Sequence, residues 1–342
     1  MGKGLGQVFL TAASLVAGAT AAMAGACPGH PNALGTSRTI VVDPSEHGRI
    51  GTMNYSQTLP LVDKEVVLTF DDGPLPPYSN KILDILAAEC VHATYFIVGS
   101  MAKAHPELVR RAHQEGHTIG THSMNHPYPF RAQGLERSRA EIDGGIAATA
   151  AVLGKPAALA PFFRFPGLGR TDPVEDYLGA RGLMIWSADF PADDWRRIGA
   201  NEIVQRALRR LEAKGKGILL LHDIQPATVL ALPAILKELK AHGYRIVHVV
   251  PATAGRPKTP TTADAWLLHP HRKPLLPVIS VAAVQNPDGD SLLKKTAAAL
   301  CGLKPTREPP IRAAGHRRHP QHRRAHLARP RTPRTGIHAQ AR

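Results

Sequence analysis

The alternation of short apolar runs with helix-like stretches between Glu65 and Val250 restricts this chain more than any other feature. EVVLTF (65–70), HATYFIV (92–98), HTIGTH (117–122), GLMIWSAD (182–189), GILLLHD (217–223) and YRIVHVV (244–250) are short and nearly continuously apolar. Such runs predict strands buried on both faces. Between them, helices are expected over 80–89, 106–115, 135–153, 201–214 and 233–242, with Pro106 suited to a first helical turn. Strand–helix repetition gives a parallel sheet with helices packed outside it, open or closed into a barrel. In either form, ligands bind at the loops leaving the C-terminal ends of the strands.

Composition narrows the class further. With 43% hydrophobic and 20% charged residues, the 342-residue chain is neither wholly disordered nor fibrous. No apolar run of about 18 residues follows the N-terminal region, which excludes a multi-span helical membrane protein. The net charge of +15 suggests nucleic acid, but residues 303–342 alone hold eleven Lys/Arg against Glu308, leaving +5 for the other 302 residues. The basicity belongs to a tail, and no nucleic-acid partner is expected; weak association with anionic envelope polymers is the reading adopted for it.

The N-terminus pairs Lys3 with an apolar stretch and Ala22-Met23-Ala24, the pattern of an export signal over residues 1–24. A periplasmic or secreted protein is expected, without lipid anchoring at Cys27. Residues 25–60 are read as an N-terminal strap, 61–250 as the catalytic domain, 251–302 as a proline-rich extension and 303–342 as a disordered tail. Of the three cysteines, Cys27 and Cys301 bracket the folded region and could pair, while Cys90 reads as a buried free thiol.

Five polar clusters stand at strand ends or in the loops that follow. Asp71-Asp72-Gly73-Pro74 closes the first strand, where consecutive side chains point opposite ways and two carboxylates can take different tasks. His122-Ser123-Met124-Asn125-His126 sets two imidazoles four residues apart, within reach of one metal ion. A carboxylate from the first cluster would complete a two-His, one-Asp set with open positions, which suits catalytic rather than structural ligation. Phe163-Arg164-Phe165-Pro166-Gly167 offers a guanidinium beside a turn. Asp189, Asp193, Asp194 and Trp195 follow the fourth strand, and Leu220-Leu221-His222-Asp223 ends the fifth.

These clusters, in this order, resemble the motifs of the polysaccharide deacetylase family, carbohydrate esterase family 4. The resemblance covers 61–250. It implies a distorted (β/α) barrel and a divalent metal, usually zinc and sometimes cobalt. It also implies hydrolysis of N-acetyl groups on glycans containing N-acetylglucosamine: chitooligosaccharide, peptidoglycan or exopolysaccharide. By carry-over, Asp72, His122 and His126 would be the metal ligands, Asp71 the general base and His222 the general acid. Arg164 would pair with Asp71 and Asp194 with His222; the Gly167 N–H would face the reacting centre, and Trp195 and Leu220 would wall the acetyl pocket.

Two departures stand out. Four residues separate Asp189 from Asp194, more than relatives usually carry, which leaves the partner of His222 open among Asp189, Asp193 and Asp194. Gly167 occupies a position where relatives often carry an aromatic. An O-acetyl esterase acting on xylan-type polysaccharide, or an inactive barrel binding the cell envelope, would use the same scaffold.

Overall fold

The computed structural model describes Cys27 and residues 29–268. The expected export signal, residues 269–302 of the extension and the basic tail lie outside the described residues. Among the described residues there are ten strands and seven α-helices, largely interleaved. The strands are β1 (Thr36–Val42), β2 (Arg49–Ile50), β3 (Glu65–Asp71), β4 (Thr94–Ile97), β5 (Thr118–Thr121), β6 (Phe162–Phe163), β7 (Met184–Trp186), β8 (Phe190–Pro191), β9 (Gly217–His222) and β10 (Arg245–Pro251). The helices are α1 (Tyr78–Ala88), α2 (Gly99–Ala104), α3 (Pro106–Gln114), α4 (Leu135–Leu153), α5 (Asp172–Ala180), α6 (Ala200–Lys214) and α7 (Pro226–Ala241).

All strand pairs are parallel, and β3 is the hub. Val66 pairs with both β9 and β10, and Asp71 with both β9 and β4, so β9 holds one edge while β10 and β4 share the other. The sheet then runs β4–β5–β6–β7–β2, and β8 joins β9. Residues 25–60, read from sequence as a strap, supply β1 beside β10 and β2 beside β7.

Side chains along β3 and β9 alternate between two apolar clusters, as strand geometry requires. Val66, Leu68, Phe70, Leu219 and Leu221 pack with helices α1, α6 and α7, whereas Val67, Ile218 and Leu220 join Phe96, Phe162 and Trp186 in a second cluster. Burial on both faces is why these runs lack polar alternation.

Among the described strands, no ladder joins β2 to β8 or β9. Asp189 spans that seam instead. Its carboxylate accepts hydrogen bonds from Thr52 N (2.9 Å), Thr52 Oγ1 (2.8 Å), Thr58 Oγ1 (2.6 Å) and Ile218 N (2.7 Å).

Two expectations are corrected. Cys90 is not a free thiol: it follows α1 and is bonded to Cys27, tying the N-terminal segment to that helix, so Cys27 does not pair with Cys301. Helix α7 begins at Pro226 rather than Pro233. An internal proline costs a helix about 3 kcal/mol, and here a face of buried Ala231, Leu232, Ile235, Leu236 and Leu239 offsets it.

Opposite the loops that carry the motifs, His92, His117 and His248 cluster with ring centroids 5.2–6.0 Å apart. His117 Nδ1 accepts from Ala93 N at 3.0 Å. Thr118 Oγ1 donates to the Val249 carbonyl, so its 2.8 Å bond to His248 Nε2 is donated by the imidazole. Burial pushes both His117 and His248 down to about 3. The unfolded chain, with histidines near ~6.5, therefore binds protons that the native state refuses, and stability falls as pH drops below that value. At pH 5 each imidazole costs about 2 kcal/mol. Buried Asp223, whose carboxyl is pushed up to about 7, acts in the opposite sense over this range, so the test is differential: His248→Gln, which keeps a donor for Thr118, should gain roughly 5 °C in melting temperature relative to wild type on going from pH 7 to pH 5. A difference between variant and wild type that stays the same at pH 7 and pH 5 would contradict this account.

Candidate active site

The strand ends converge on a cavity of about 430 Å³, lined among others by Asp71, Asp72, His122, His126, Gly167, Trp195, Leu220 and His222. Its volume falls in the range of small-molecule sites. Asp71 and His222 are direct neighbours in the β3–β9 ladder, so main-chain pairing brings the two groups to one end of the sheet.

Asp72 lies one residue beyond β3, where the backbone turns into the left-handed region at φ 78°. Its Oδ1 is 3.4 Å from His122 Nε2 and 3.3 Å from His126 Nε2, and its Oδ2 is 3.9 Å from His222 Nε2. Donor atoms of Asp72, His122 and His126 all lie within 4.8 Å of one another. Burial opposes the charged form of Asp72, but His122, then His222 and His126, outweigh it and hold the carboxyl well below the usual range. Its buried Oδ1 has no hydrogen-bond partner.

Backbone carbonyls only accept, so His122 Nδ1 donates its 2.7 Å bond to the Arg164 carbonyl and leaves Nε2 facing Asp72. An orphaned carboxylate oxygen and two imidazole nitrogens aimed at one point form a donor set that fits a divalent cation. Four of the seven non-glycine residues with positive φ among the described residues are Asp72, Ser123, His126 and Leu168. The strain is concentrated at this cavity, where the surroundings must hold it in place. Glu141 of α4 does so for the histidine loop, accepting from Met124 N (3.1 Å), Asn125 N (2.8 Å) and Asn125 Nδ2 (2.9 Å). Nothing local in sequence marks Glu141; its role exists only once α4 packs beneath the loop.

Arg164 is fully buried and lies over the Phe96 ring, 4.2 Å from its centroid. It donates to Asp71 Oδ1 (2.7 Å), Thr69 Oγ1 (2.8 Å) and the Ser187 carbonyl (2.8 Å). Asp71 Oδ2 faces His122 Nε2 at 3.9 Å.

The three acidic residues of the fourth cluster separate cleanly. Asp189 ties the seam, and Asp193 pairs with Arg206 and Arg210 of α6. Asp194 Oδ1 lies 2.8 Å from His222 Nδ1, while its Oδ2 accepts from His222 N and Thr228 Oγ1. Burial alone would depress the His222 pKa. Asp194 reverses that effect, with Asp72 and Asp71 adding to it, and the imidazole is raised to about 9. It is therefore cationic at neutral pH.

Trp195 stands edge-on to His222 with ring centroids 5.5 Å apart, and Leu220 projects into the second apolar cluster at the cavity floor. Gly167 has φ 58°. Met53, Asn54 and Tyr128 also line the cavity. Sequence reading overlooked them because they belong to segments carrying no motif of their own.

Comparison with known proteins agrees with this arrangement. The polysaccharide deacetylase family profile matches residues 59–186. A peptidoglycan-N-acetylglucosamine deacetylase of Bacillus cereus is 35% identical over 196 residues, covering 56% of this chain and 89% of that protein. A chitooligosaccharide deacetylase of Rhizobium leguminosarum bv. trifolii is 33% identical over 202 residues, covering 54% and 89%. Among solved structures, a peptidoglycan deacetylase of Bdellovibrio bacteriovorus superposes with a TM-score of 0.57 at 31% identity, over 64% of this chain and 60% of that one. With five clusters gathered at one cavity and such relatives matched across the α/β region, the chain belongs to the polysaccharide deacetylase family.

Proposed function

We propose that this protein hydrolyses N-acetyl groups on N-acetylglucosamine units of an oligo- or polysaccharide outside the cytoplasm, with a divalent metal held by Asp72, His122 and His126. The observation that carries this reading is the convergence of that donor set with Asp71 and His222 on paired strands. Two histidines and one carboxylate with positions left open suit zinc. When bound, such an ion supplies a Lewis-acid charge that polarises the acetyl carbonyl and acidifies water beside it.

Asp71 removes the proton of the attacking water through the carboxylate that Arg164 holds in place. His222, kept cationic by Asp194, delivers a proton to the departing nitrogen. An amine leaves poorly as its anion, so this second transfer is what makes an amide cleavable. Base and acid are set apart by their neighbours, a guanidinium for one and a carboxylate for the other. The Gly167 N–H faces the reacting centre, and Trp195 and Leu220 wall the space for the acetyl group.

Export is supported by the N-terminal pattern around Lys3 and Ala22-Met23-Ala24 and by the Cys27–Cys90 disulfide, which needs an oxidising compartment. No helix among the described residues is long and apolar enough to cross a membrane.

The test is acetate release by the full chain from N-acetylglucosamine oligomers, peptidoglycan and acetylated xylan. Release from the first two is expected, with loss on chelation and recovery on adding zinc. Release from xylan alone would replace the amide reading with an ester one, and release that survives chelation would remove the metal.

A further inference from the structure

Five large hydrophobic residues are markedly exposed among the described residues, and three of them line the one cavity: Met53 (44%), Tyr128 (77%) and Trp195 (46%). They come from unrelated segments, after β2, after the histidine loop and after Asp194. Isolated exposed apolar side chains need no explanation, but a convergence around a polar cavity does.

Tyr128 is the most exposed of the three and has no role in the chemistry above. Its ring lies against Gly167: a Cβ added there would come within 2.7 Å of Tyr128 Cε2 and 3.2 Å of Cδ2. Gly167 also has φ 58°, so a side chain at that position would be strained by the backbone and would have to displace the Tyr128 ring. Trp195 stands beside His222 and Tyr128 two residues beyond His126, and those two histidines approach opposite oxygens of Asp72. Aromatic faces therefore border the reacting centre on two sides.

A hexosamine ring carries its polar groups around the rim and presents C–H faces above and below, the shape that an exposed aromatic ring covers well. We propose that Tyr128 is a stacking platform for the sugar next to the one being deacetylated, so that the enzyme binds a chain rather than an isolated hexosamine. This rests on the glycan reading above. Tyr128 is then a specificity-determining residue: it acts on binding and leaves proton transfer to Asp71 and His222.

The experiment compares wild type, Tyr128→Ala and Tyr128→Phe on the dimer and pentamer of N-acetylglucosamine, by initial rates of acetate release. Pentamer binding is measured in parallel by calorimetry in an Asp71→Asn background, where turnover does not interfere. Tyr128→Ala should raise the pentamer KM about tenfold, about 1.4 kcal/mol, with kcat within twofold, the signature of lost uniform binding. The dimer, whose second sugar is the one the platform would cover, should show a rise in KM of the same kind, and Tyr128→Phe should behave as wild type. A pentamer KM unchanged in Tyr128→Ala would overturn the proposal, as would an equal fall in kcat on both substrates, which would mean the ring only props the Gly167 turn. Should no protein release acetate, the hydrolase reading fails, yet weaker pentamer binding by Tyr128→Ala still upholds the platform; no pentamer binding in the Asp71→Asn background would end it.

Discussion

Asp71→Asn is expected to lower acetate release about 10²–10⁴-fold while leaving metal content unchanged. The substitution is isosteric, and its amide oxygen can still accept the Arg164 bond that Asp71 Oδ1 takes at 2.7 Å. What disappears is basicity: an amide cannot take a proton from water. Asp71 lies outside the Asp72–His122–His126 donor set, so that set survives intact. Metal content should be compared between wild type and variant of the full chain, so that any metal taken up by His316, His319, His322 and His326 of the shared tail cancels. Near-normal turnover in the variant would remove Asp71 as the base, and lost metal would reassign it as a ligand.

His126→Ala should show the opposite signature, with metal and activity lost together. Even a partner that only supports a ligand is worth about 10–100-fold in metal affinity, and removing one of three ligands should exceed that. His126 suits the test because it is the least buried of the three, its side chain about 31% exposed, so truncation opens no void in the core. The readout is thermal. Zinc should raise the melting temperature of wild type, since a ligand bound only to the native state stabilises it, and should leave His126→Ala unmoved. A variant that is still zinc-stabilised and still active would break the ligand assignment.

The long apolar strands were legible because both of their faces are covered, which writes burial into every residue of β3 and most of β9. Strands β2, β6 and β8 are two residues each, too short to carry a pattern. Helix α7 was misread at its start because Pro233 looks like a first turn, and only the buried face beyond it explains why the helix runs through. The side chains of the five clusters were legible through motif order. Their partners were not: which aspartate meets His222 depends on Asp189 being taken by Thr52, Thr58 and Ile218, and those contacts join segments more than twenty-five residues apart. Glu141, Tyr128 and the Cys27–Cys90 bridge are tertiary facts of the same kind.

The adjacency of Asp71 and His222 on paired strands divides labour within the molecule. Their separation is written into main-chain hydrogen bonds and is as stiff as the sheet itself, whereas Met53, Tyr128 and Trp195 hang from connecting segments that tolerate insertion and exchange. A chain built this way can trade one polymer for another by rewriting its rim, with the spacing of Asp71 and His222 left untouched.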